Sequence, residues 1–187
     1  FFTYFQSGTT SKLQQMKNDI NNNNYEITAD MLDLIGELRV TEGRIEDVLN
    51  AEKGSRVAGE VLYYLSLGWA NNAYRYEQDH LHPESRFSES KPPAISIDDW
   101  KRWRSLRNRL PNLQLLEGRS KGSKLDMPLI DYYNDMNEKQ REEFCAHALI
   151  PQTASLEFSH FEEFYEQRKA LMAQRIRNLL AAPELAG

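Results

Sequence analysis

Apolar side chains in this chain recur every three or four residues along most of its length, and every second residue in only two short stretches. The first spacing lines one face of a helix, the second one face of a strand. Helices must then supply the core, with the strands as a small insert. Val57, Val61, Leu62, Leu65 and Trp69 make one helical stripe beginning near Ser55, and Met31, Leu32, Ile35 and Leu38 another behind a Thr28 cap. Ser11 can cap a further helix through Leu13, Met16 and Ile20. Residues 138–149 predict a helix, and 159–181 the longest one, opened by a Ser159–Glu162 capping box and carrying Phe161, Phe164, Tyr165, Leu171, Met172, Ile176, Leu179 and Leu180. Alternation is confined to 74–78, a predicted strand ending at Asp79-His80, and to 112–116, stopped by Glu117-Gly118. Between them, Asp98 or Asp99 can cap a short basic helix carrying Trp100 and Trp103.

The 187 residues suffice for one full domain or two small helical ones, and 40% hydrophobic with 27% charged residues excludes a collagen-like or mostly disordered chain. No apolar run approaches the ~18 residues that cross a bilayer, and no signal-peptide pattern is present, so the expectation is a soluble protein with no membrane partner. A single cysteine, Cys145, can form neither an internal disulfide nor a thiolate metal site, which fits a reducing cytoplasm. The net charge of −5 is unevenly spread. Lys101, Arg102, Arg104, Arg107, Arg109, Arg119, Lys121 and Lys124 against Glu117 give that window +7, leaving −12 elsewhere. Such a block is either a footprint for a polyanion or the solvated face of a surface helix, and charge alone leaves both open.

Asp79-His80-Leu81-His82-Pro83 gathers two imidazoles and a carboxylate at a strand end. Strand alternation sends Asp79 and His80 to opposite faces. Asp79 can then bind a hard cation through oxygen while His80 takes a proton from water, the division of labour that phosphodiester hydrolysis needs. The competing reading is a turn in which Asp79 caps an amide and the histidines are surface residues. Trp100 and Trp103 either stack on bases or anchor the core. Cys145 and His147 have no partners that would make a thiol nucleophile. Nothing resembles a phosphate-cradling glycine loop.

Asp79-His80-Leu81-His82-Pro83, followed by Asn108-Arg109-Leu110-Pro111-Asn112-Leu113-Gln114-Leu115-Leu116-Glu117-Gly118 and Lys124, resembles the HNH nuclease domain of GmrSD-type modification-dependent restriction enzymes. Leu149-Ile150-Pro151 and the segment with Phe161, Phe164, Arg168 and Leu171 resemble that family's closing portion, and 1–50 is similar to its helical linker. The resemblance implies a mostly α chain, a helical domain with an embedded ββα-metal (HNH) finger. Residues 1–70 would form a helical support region, 71–135 the finger with its basic DNA-binding segment, and 136–187 helices packing on the support. His80 would be the general base, Asp79 a metal ligand for Mg²⁺ or Mn²⁺, and Asn112 the asparagine that ties the two strands and orients the histidine. His82 would touch the phosphate or leaving group, or be a loop histidine packed beside Pro83. The basic residues 101–109, 119, 121 and 124 would line a groove for double-stranded DNA.

One position departs from the family pattern. Lys121 stands three residues before Lys124, where the family places a second metal-binding asparagine, and a protonated ammonium cannot ligate a cation. The implied function is a metal-dependent DNA endonuclease, nicking or cleaving, in a prokaryotic anti-phage system. A nucleotide-dependent sensor domain outside this chain would control it, with a homodimer as the route to paired cuts. The alternatives are a catalytically weak or inactive DNA-binding module and a helical domain whose acidic remainder docks a partner protein.

Overall fold

A computed structural model describes Asn18 and residues 41–66, 76–117 and 126–180. The chain divides into two compact units, Phe1–Arg44 and Ile45–Gly187, and almost all the described residues lie in the second. The helices expected behind Ser11 and Thr28, and Trp69 at the end of the Ser55 stripe, lie outside the described residues. Helix α1 (Glu42–Leu49) buries Ile45 and Leu49. A tight turn follows, closed by the Ser55 amide donating to the Glu52 carbonyl at 3.0 Å, with Gly54 at φ 83°, a conformation costly to any residue with a Cβ. Ser55 then caps α2 (Arg56–Leu65), accepting from the Ala58 amide, and α2 buries Ala58, Val61, Leu62 and Leu65.

Strand β1 (Tyr76–His80) pairs antiparallel with β2 (Leu113–Glu117), His80 opposite Leu113 and Tyr76 opposite Glu117. Two strands alone are marginal in water, so the sheet needs helices against it. Helix α2 supplies one, packing against β2, with Gly59 facing the end of the Gln78 side chain, whose Nε2 would lie 2.9 Å from a Cβ there. The link between the strands holds a 3₁₀ turn (Glu84–Phe87), α3 (Ile97–Leu106) and a second 3₁₀ turn (Leu110–Asn112). Ser96, not Asp98 or Asp99, caps α3; it accepts from the Asp99 amide at 3.1 Å while both aspartates occupy the first turn, where the helix dipole favours them.

After β2 come α4 (Leu129–Asn134), which the apolar spacing did not announce, and α5 (Glu138–His147), opened by a reciprocal Asn137–Gln140 capping box. The long helix α6 runs Phe161–Leu180. Its expected Ser159–Glu162 box gives way to a 3₁₀ turn, Phe158–His160, with no side-chain cap. Glu162 instead accepts from Trp103 Nε1 at 3.0 Å and pairs with Arg102, joining α6 to α3.

Phe161 and Tyr165 pack with Phe87, Trp100 and Trp103, while Phe164 packs with Leu81, Leu129, Ala148, Ile150 and Leu156. Between these clusters lies Arg168, only 1% exposed. It donates from Nε to the Ala148 carbonyl at 2.9 Å, from Nη1 to Pro111 at 2.7 Å and Leu110 at 3.4 Å, and from Nη2 to Leu113 at 2.7 Å. The Ala148 carbonyl is available because α5 has ended, with Leu149 turned into the left-handed region at φ 52°. Burial pulls the guanidinium down to about 9, which still leaves it charged at neutral pH.

Arg168→Met is expected to strand these carbonyls in the interior and to cost more than about 3 kcal/mol in urea unfolding, each unsatisfied buried acceptor being worth roughly 1–3 kcal/mol. Arg168→Lys keeps the charge without the planar fork and should recover only part of that loss. A midpoint unchanged in Arg168→Met would show that the carbonyls find other donors.

Candidate active site

Alternation along β1 puts Gln78 and His80 on the face toward the α1–α2 turn and Asp79 on the other. The turn is fastened to the segment before β2. Lys53 donates its amide to the Asn108 carbonyl at 2.8 Å, Leu110 donates to Ala51 at 3.0 Å, and Glu52 and Arg109 form an antiparallel bridge. Gln78 completes the joint, accepting from the Gly54 amide at 2.7 Å and donating to the Ser55 carbonyl at 3.2 Å. The consequence is a fixed seat for His80.

His80 is 4% exposed, with Lys53 Nζ 3.2 Å from Nδ1 and Asn108 Oδ1 2.8 Å from Nε2. An ammonium can only donate, so Nδ1 carries the lone pair and the ring proton sits on Nε2, donating to Asn108. Burial holds the imidazole pKa below its ordinary value; the Asn108 hydrogen bond opposes that shift, and the Lys53 charge reinforces it. The group is therefore a neutral base of defined tautomer. Sequence reasoning singles out His80, holds Asn108 only as part of the motif with no role, and does not reach Lys53. The Lys-Gly pair reads as a turn, and nothing local says that a turn 27 residues upstream reaches this ring.

Asn112 is fully buried, and its side-chain amide joins two chain segments. Oδ1 accepts from the His82 amide at 3.0 Å, and Nδ2 donates to the His82 carbonyl at 3.1 Å and the Arg107 carbonyl at 2.8 Å. The Asn112 carbonyl accepts from the Leu81 amide at 2.8 Å. One side chain thus continues the ladder past its last strand pair, His80–Leu113.

His82 is 1% exposed, and its ring stands edge-on to Phe164 at 4.8 Å and Phe161 at 5.5 Å. The ring is thus packed in the loop, as one of its two sequence readings has it, and it also lines a cavity with Pro83, Arg86 and Asp131. Trp100 and Trp103 are likewise core residues and offer no platform for a base.

Asp79 is half-buried on the opposite face of β1, close enough to α4 for its charge to add to the burial that raises the Tyr132 phenol. Among the described residues no group of three or more His, Cys, Asp or Glu side chains could hold a metal. Asp79 is a carboxylate that could ligate a hard cation through oxygen.

The basic block is partly matched by acid. Lys101 pairs with Asp98 at 3.1 Å, Arg102 with Glu162 and Glu166, Arg107 with Glu84 at 3.4 Å and Arg109 with Glu52 at 3.2 Å. Arg104 is exposed on α3. Arg119, Lys121 and Lys124 lie outside the described residues. No protein-family model and no curated protein matched the chain.

Two measurements test this geometry. Long-range ¹H–¹⁵N correlation spectra at neutral pH should find His80 protonated on Nε2 with a hydrogen-bonded, unprotonated Nδ1; the opposite tautomer would be incompatible with the Lys53 contact. Asn112→Asp keeps an acceptor for the His82 amide but sets a buried carboxylate against two carbonyls, and should cost more than about 2 kcal/mol in denaturant unfolding. A cost near zero would mean that the cross-tie contributes nothing to the hairpin.

Proposed function

We propose that this chain is a metal-dependent DNA endonuclease of the ββα-metal (HNH) kind that nicks one strand per active site. The observation that carries the reading is the Asn112 amide, which clamps the loop leaving β1 immediately after Asp79-His80 and so gives that pair a fixed place at the end of a two-stranded sheet. Support also comes from the tautomer of His80, whose lone pair sits on Nδ1.

In the proposed reaction a water oxygen attacks phosphorus while its proton passes to His80 Nδ1. The bond from phosphorus to the leaving oxygen breaks, and that oxygen takes a proton from solvent. Asn108 Oδ1, already accepting from Nε2–H, keeps the ring oriented and stabilises the imidazolium as it forms. A divalent cation, Mg²⁺ or Mn²⁺, would be held by Asp79 and would neutralise charge on the pentavalent phosphate and the leaving oxygen. Basic side chains of the 101–124 segment would track the DNA backbone without reading sequence. On this reading the chain acts in the prokaryotic cytoplasm as the effector of an anti-phage restriction system under a nucleotide-dependent sensor, and paired cuts need a dimer.

A second reading, a DNA-holding module with weak or no catalysis, is favoured by two observations. Lys121 stands where a metal-binding asparagine is expected, and Lys53 occupies the lone pair that the base needs. A supercoiled-plasmid assay with Mg²⁺, Mn²⁺ or EDTA separates the two. The nuclease reading expects metal-dependent open circles, a loss of about 10²–10⁴-fold in His80→Ala, and faster nicking by Lys121→Asn. Retarded DNA with no strand breaks under any metal, unchanged in His80→Ala, would leave the binding module.

A further inference from the structure

We infer that Lys53 is the phosphate-capturing gate of the His80 site: a DNA phosphodiester draws the Lys53 ammonium off Nδ1, so that substrate binding itself frees the lone pair that accepts the proton of water. The inference rests on the nuclease reading of His80 and adds a residue from outside the hairpin. Its basis is the contrast between the Lys53 backbone and its side chain. The backbone is fixed on both sides, by the Lys53 amide on the Asn108 carbonyl and the Gly54 amide on Gln78 Oε1. The residue is nevertheless exposed, so its flexible four-carbon stem can move without disturbing the turn.

An ammonium has three donors, and a single ring nitrogen uses one of them. The remaining donors suit the non-bridging oxygens of a phosphate, which carry a full negative charge and make stronger, charge-assisted hydrogen bonds than a neutral imidazole does. In the resting arrangement the contact has the opposite effect. With Nδ1 occupied by Lys53 at 3.2 Å and Nε2 bound to Asn108, His80 has no ring nitrogen open to water. A base closed in the absence of substrate and opened by the substrate's own charge needs no domain movement.

The test begins with binding, apart from catalysis. Fluorescence anisotropy of the full chain on a short DNA duplex in EDTA, across a salt series, is compared for wild type, Lys53→Met and Lys53→Arg, with denaturant midpoints as the folding control. Lys53→Met should weaken binding by about tenfold, equally for unrelated sequences, and make the slope of log K against log salt shallower by about one. Lys53→Arg should keep both near wild type. In the nicking assay Lys53→Met should raise KM while kcat at saturating DNA does not fall, because the lone pair is no longer covered. An unchanged affinity and salt slope with a reduced kcat would overturn the inference and make Lys53 a residue that merely orients His80. Binding with no nicking by any variant would overturn the nuclease reading and the release step with it, a pattern distinct from the previous one.

Discussion

A buried positive charge whose hydrogen bonds, among the described residues, go to backbone carbonyls is the constraint around which this fold is arranged. Arg168 leaves water for a site where its partners are the carbonyls of Ala148, Leu110, Pro111 and Leu113. Desolvating a guanidinium is expensive, and neutral carbonyls offset that cost only if several converge in the plane of the fork. Convergence requires three things at once: α5 ending at His147, the 3₁₀ turn at 110–112, and α6 contributing to both the aliphatic and the aromatic cluster. The turn so held is the one that presents Asn112. A residue on the last helix thereby sets the geometry of the hairpin, although its own hydrogen bonds go to backbone carbonyls and not to His80 or Asp79.

From Arg168 the order passes outward in two steps. The Leu110–Leu113 backbone is fixed first, and Asn112 then spans from it to both backbone polar groups of His82. His82 in turn is packed among phenylalanines of α6 and the turn before it, so the loop after β1 is held by polar contacts on one side and aromatic contacts on the other. His80 is the last residue before that loop. Its seat is completed from the opposite direction by the α1–α2 turn, where Gly54, in the left-handed region, presents its amide to Gln78.

Apolar spacing made the helices α2 and α6 and the two strands legible, because burial of one face repeats at the period of the element; α5 was legible too, although none of its residues is buried and no such stripe marks it. The ends were less so. Ser159 and Glu162 have the right spacing for a capping box, but the Trp103 indole and the Arg102 guanidinium compete for the same carboxylate. Helix α4 is too short for a period to emerge, and its one fully buried position, Leu129, could belong to any turn. At the site, Asp79, His80 and Asn112 stand in one recognisable pattern, whereas Lys53 reaches the ring across 27 residues of sequence and carries no local mark. The charge block was legible only as a count: nothing along the chain tells that Glu52, Glu84, Glu162 and Glu166 return in space to face part of it.

That pairing bears on how the protein would meet a polyanion. Exposed ion pairs are individually weak, of order 0–1 kcal/mol, so DNA phosphate can displace Glu84 or Asp98 at little cost. Each exchange nevertheless leaves a carboxylate near the DNA backbone, and the repulsion lowers the net gain. Lys53 differs from these residues because its partner is a neutral ring rather than an acid. A phosphate that takes it strands no negative charge. On electrostatic grounds, then, Lys53 can pass from His80 to a DNA phosphate without uncovering an acid, and on the proposed reading capture of substrate and opening of the base are a single event.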